Sequence, residues 1–121
     1  MVKKTFKTPL YGTEFTVIIY QKDSEINDFF KGHKFEHPIT DFDGGLLDYK
    51  DKLYVLLYSG KKGYPTAGTI AHESKHLVNR IFIDICHPLC RYQDEPECYL
   101  LGWIVNRIHE LKNKLHNGSN K

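Results

Sequence analysis

Residues 66–85 read TAGTIAHESKHLVNRIFIDI, and this stretch decides how the rest of the chain is placed. Ile70, Ala71, Leu77, Val78, Ile81, Phe82 and Ile85 gather on one broad face at helical spacing, while His72, His76, Asn79 and Ile83 lie on another. Thr66 after Pro65 suits the start of that helix, and no proline or glycine interrupts residues 69–86. Within it, His72-Glu73-Ser74-Lys75-His76 spells HExxH. Four-residue spacing sets the two imidazoles one turn apart on one face, where their nitrogens can share a Zn²⁺. Glu73 then stands beside the metal. From there it can take a proton from water whose pKa a bound zinc lowers from 15.7 towards ~7, and pass it to a leaving amine. The implied reaction is metal-assisted hydrolysis of a peptide bond, with one zinc per chain.

Two histidines need a third protein ligand from another element, leaving one position open for water. His87-Pro88 blocks continuation of the first helix, and a second helix begins near Asp94-Glu95-Pro96-Glu97 and runs through Leu101, Ile104, Ile108, Leu111 and Leu115. Proline and acidic residues both suit a first helical turn. Two carboxylates compete for the ligand role. Glu97 shares its face with Leu101, Ile104 and Ile108, which turns it inward, yet Asp94-x-x-Glu97 also has capping-box spacing. Glu95 shares a polar, small-residue face with Tyr99, Gly102 and Asn106, suited to approaching the histidine helix. This leaves Glu95 only slightly ahead. Tyr99 and His87 are the available donors for a tetrahedral oxyanion, and Tyr99 has an alternative role in orienting Glu95.

The pairing of TIAHESKH with DEPECYLLGW after a short loop resembles the small intracellular zincins of phages, prophages and mobile elements, related in layout to the ImmA/IrrE-type metallopeptidases. The resemblance covers roughly Thr66 to Trp103. It implies His72 and His76 as metal ligands, Glu73 as general base and Glu95 as third ligand, with Tyr99 matching the motif's tyrosine. Glu97 and Cys98 depart from the pattern, standing where an aromatic and a small residue are more usual. A zinc metallopeptidase acting on a protein or peptide in the cytoplasm of a bacterial cell is the implied function. The alternative is a catalytically silent protein of zincin fold that acts by binding a host or regulatory protein.

Upstream, the chain reads as strands. Glu14 to Tyr20 is β-branched and aromatic, and Gly12-Thr13 suits a hairpin from an edge strand near Lys4 to Thr8. Ser24 to Phe30 reads as a short helical turn capped by Ser24. Asp41-Phe42-Asp43-Gly44-Gly45 reads as a turn, followed by strands at Leu46–Tyr49 and Lys52–Tyr58 joined by Lys50-Asp51. Either Leu53–Tyr58 is an ordinary inner strand, or it lies at the rim of the cleft and pairs with an extended peptide. The glycine-bounded loop carrying Lys61 and Lys62 is a surface loop that can also meet acidic substrates. The expected architecture is α+β: one domain over residues 1–116, with a small, mainly antiparallel sheet backed by the HExxH helix and a long C-terminal helix. The two helices hold the metal between them, and residues 117–121 form a polar tail.

Composition narrows the function. A net charge of +2, from 17 basic and 15 acidic residues, gives no nucleic-acid signature. No run of 18 apolar residues or secretory leader appears. Three cysteines, Cys86, Cys90 and Cys98, fit reduced thiols, with the first two expected buried or half-buried at a helix end rather than bound to a second metal.

Overall fold

The computed structural model describes residues 1–60 and 63–119. The expected α+β class holds: a four-stranded mixed sheet carries helices on both faces. Strands β1 (Val2–Lys7) and β2 (Glu14–Tyr20) form an antiparallel hairpin. Its turn is closed by hydrogen bonds from the Thr8 N–H to the Thr13 carbonyl, 2.9 Å, and from the Thr13 N–H to Thr8 Oγ1, 3.0 Å. Helix α1 (Asp23–Phe29) follows with Lys22 at its N-cap, two residues earlier than a Ser24 cap implies. Glu25 Oε1 accepts from the Gln21 and Lys22 N–H groups at 3.1 and 3.0 Å, so the acidic side chain at the third helical position closes the first turn without Ser24.

Strands β3 (Gly44–Tyr49) and β4 (Lys52–Tyr58) form a second hairpin across Lys50 and Asp51, which take φ of 50° and 63°. Two left-handed residues in a two-residue connection match the twist of the flanking strands. The spatial order is β1-β2-β4-β3, with β2 and β4 parallel. One alternative is decided here and one expectation changes. Of the two readings of Leu53–Tyr58, the inner strand holds, since it is paired on both sides, and the edge next to it is β3. Gly44 and Gly45 are strand residues, paired with Leu57 and Leu56, and the bend before them at Phe42-Asp43 follows a short 3₁₀ turn, Ile39–Asp41.

Alternation sorts the strands onto two faces. Phe15, Val17, Ile19, Val55 and Leu57 pack under helices α2 (Ala67–Asp84) and α3 (Glu95–Ser119), while Ile18, Tyr20, Tyr54 and Leu56 pack with Ile26 and Phe30 beside α1. Thr66 Oγ1 accepts from the Thr69 N–H at 3.2 Å and caps α2. That helix buries Ile70, Leu77, Val78, Ile81 and Phe82 as its apolar face requires, but Ala71 and Ile85 stay exposed at the edges of the stripe. Along α3, Leu100, Ile104, Ile108 and Leu111 are buried, and Trp103 meets Phe15 edge-on at 6.5 Å between ring centroids. The helix continues through Ser119, past the expected boundary at 116. The Lys61-Lys62 site of the proposed acidic-substrate loop lies outside the described residues. Among the described residues no helix is long and apolar enough to cross a membrane. All three cysteines are free; Cys90 is half-buried as expected, whereas Cys86 is exposed against the expectation, and Cys98 on α3 is exposed.

Candidate metal centre

Helix α2 runs beside β3, leaving a groove between its histidine face and the free rim of the sheet. His72 and His76, one turn apart, bring their Nε2 atoms to 3.2 Å. Two nitrogens on one tetrahedral zinc at ~2.0–2.1 Å each stand ~3.3 Å apart, so the pair fits one metal ion. Without a cation the same contact is an imidazole–imidazole hydrogen bond whose direction follows the tautomers. Both rings are exposed towards the groove.

Glu73 turns the other way. It is only 5% exposed, although its side chain ends 3.9 Å from His72 Nε2 through Oε1. Its Oε2 is buried and has no hydrogen-bond partner, an arrangement that costs free energy whenever the group is charged. Burial therefore pushes the Glu73 carboxyl above its ordinary range, against the opposing pull of His72 and His76; the Asp43 carboxylate pushes it further up. Space for this carboxylate depends on Gly44. A Cβ there would collide with the Leu56 carbonyl oxygen and stand 3.0 Å from Glu73 Cγ. Behind the site, Tyr20 donates to the Ile39 carbonyl at 3.0 Å, and burial with the neighbouring carboxylates pushes its hydroxyl well above the usual range. It is held as a neutral donor.

Three hollows lie along the groove. The first, about 520 Å³, is lined by Phe42, Asp43, Thr66, Thr69, His72 and Glu73. The second, about 530 Å³, includes Gly44, Leu46, His72, His76, Asn79 and Ile83. A third, about 270 Å³, continues past Asn79 and Ile83 to His87, Leu89 and Glu97. One clamp fixes the rim to the helix: Arg80 donates to both oxygens of Asp48 on β3, at 2.7 and 2.8 Å, and to Asp84 one turn along α2 at 3.0 and 3.1 Å.

The residues expected on α3 separate. Glu97 is 8% exposed and faces the groove. Glu95 is exposed and lines an apolar cleft with Pro9, Leu10, Tyr11 and Trp103, together with Tyr99, itself 76% exposed. The structure thus brings together His72, Glu73 and His76 but does not bring Glu95 or Tyr99 to them. Among the described residues no group of three or more His, Cys, Asp or Glu side chains is close enough to hold a metal ion. Three features were not singled out in the sequence: Gly44, Asp43 and the Arg80–Asp48 clamp. The Gly-Gly pair was the only signal for any of them. No protein family model, curated protein or solved structure matches this chain.

Proposed function

We propose that this chain is a zinc-dependent metallopeptidase whose metal is held by His72 and His76 and whose proton-transfer group is Glu73. The observation that carries the reading is the buried, half-unpartnered Glu73 carboxylate beside two imidazoles whose Nε2 atoms lie 3.2 Å apart. Zinc bound there supplies Lewis acidity towards a carbonyl oxygen and acidity to water. Glu73 takes the proton of the attacking water and returns it to the departing amine; its Oε1 is the oxygen nearer His72, and burial raises the carboxyl. The β3 rim offers unpaired backbone groups to an extended substrate, a role that was one of two alternatives for Leu53–Tyr58. For the third ligand, Glu97 is the α3 carboxylate that lines the groove, whereas the family resemblance points to Glu95.

Elemental analysis of the purified protein tests this. One zinc per chain is expected, lost in His76→Ala and in either Glu97→Ala or Glu95→Ala, with zinc retained but peptide hydrolysis abolished in Glu73→Ala. Zinc-loaded Glu73→Ala protein that still hydrolyses peptides sinks the reading. A second reading, a silent zincin-fold protein that binds a protein partner, draws on the exposed apolar cleft where Leu10 is 98% exposed at φ 65°. Absence of zinc from wild-type protein of unchanged fold favours it.

A further inference from the structure

The groove differs in chemistry from one end to the other. At the α2 N-terminal end the charged lining side chains are Asp43 and Glu73, and the Asp43 carboxylate is exposed and makes no ion pair among the described residues. Phe42, 49% exposed, lies in the same hollow. Glu73 supplies a second, independent sign, since it lines this hollow while more than nine-tenths buried and its Oε2 has no hydrogen-bond partner. At the far end Ile83 and Leu89 are 70% and 62% exposed, large apolar side chains with no core to fill. Arg80 does not alter this polarity, because its guanidinium is spent on Asp48 and Asp84.

We propose that the groove recognises an extended peptide segment of about six residues, with lysine or arginine at the Asp43 end and a bulky aliphatic or aromatic side chain at the Ile83–Leu89 end. Length follows from the scaffold. From Thr69 to Ile83 helix α2 rises ~21 Å at 1.5 Å per residue. An extended chain covers that distance in about six residues at ~3.4 Å each, the length of the six-residue β3 rim beside it. Asp43 supplies the charge complement, and Phe42 offers a ring face to the cation. The middle hollow shares Gly44, His72 and Glu73 with the first and Asn79 and Ile83 with the third, so the two ends belong to one surface. This deepens the metallopeptidase reading by naming its substrate class, but binding is testable without turnover.

Fluorescent hexapeptides carrying lysine at one end and leucine at the other, made in both orders, are titrated by anisotropy against zinc-supplemented Glu73→Gln protein. Companion peptides replace lysine by alanine, lysine by glutamate, or leucine by alanine. One order of the lysine–leucine peptide binds tightest, and each alanine weakens it about tenfold. Asp43→Lys reverses the ranking of lysine and glutamate peptides, and Ile83→Ser with Leu89→Ser abolishes the leucine preference. Equal binding by all peptides, no binding by any, or an Asp43→Lys ranking unchanged from wild type overturns the proposal. Selective binding by wild-type protein that leaves the peptides intact with zinc upholds this inference while refuting the hydrolytic reading, so the two fail separately.

Discussion

Glu73 is the residue on which the site's energetics turn. Its carboxyl is pushed above the ordinary value of 4.5 by burial, so the native state holds a proton that the unfolded chain has released. Stability of the metal-free protein therefore falls as pH rises from the unfolded value through the native one, and below it the penalty vanishes. Glu73→Gln removes the titration. With chelator present, the variant should match wild type below about pH 4 and exceed it near neutrality, where wild type carries a buried charge that the amide does not. In a domain of this size each kcal/mol moves the melting temperature by about 4 °C, so a thermal scan at two pH values resolves it. The histidine pair and this acid were legible from HExxH spacing alone, because a helix fixes the angle between residues four apart. The third ligand was not. Glu95 and Glu97 stand on nearly opposite sides of α3, and which side meets α2 is set by the loop at residues 85–94, whose path no local pattern specifies. The apolar stripe of α3 did turn Glu97 inward, and it is buried.

Among the elements, β3 and α2 depend on each other through the Arg80 clamp. Arg80 holds the Asp48 carboxyl below its ordinary 3.8, so the stabilisation it brings is complete above that value and disappears as pH falls through the lower native one. Both partners are partly solvated, at 35% and 59% exposure. Asp48→Asn should cost about 0.5–1 kcal/mol, less in high salt, and should speed amide exchange along the β3 rim more than elsewhere in the sheet. Loss of stability with no selective effect on β3 exchange would deny the clamp its role in fixing the rim. The strands themselves were readable from β-branched runs and from Lys50-Asp51. The choice between an inner and a rim place for β4 stayed open, because its parallel pairing with β2 joins segments that no short-range signal connects. Gly44-Gly45 reads as a turn for the same reason: only the proximity of Glu73 and the Leu56 carbonyl explains a glycine there.

For the molecule as a whole, α3 closes the larger core with Ile104 and Ile108, both fully buried against the sheet and α2. Ile104→Ala should cost about 2–5 kcal/mol, measurable as a lower urea midpoint at unchanged slope. A small effect would mean that α3 can settle onto the sheet without this contact. The sheet also carries a consequence for how the chain assembles. β1–β2 and β3–β4 each close between neighbours in sequence, and they meet along the parallel pairing of Thr16–Tyr20 with Tyr54–Tyr58. Each hairpin can form in about 1–10 μs, whereas the central pairing must wait for a long intervening segment to close. Folding thus becomes the docking of two preformed halves, and a peptide-bond cut between residues 31 and 38 should leave two fragments that find each other in solution and restore the groove.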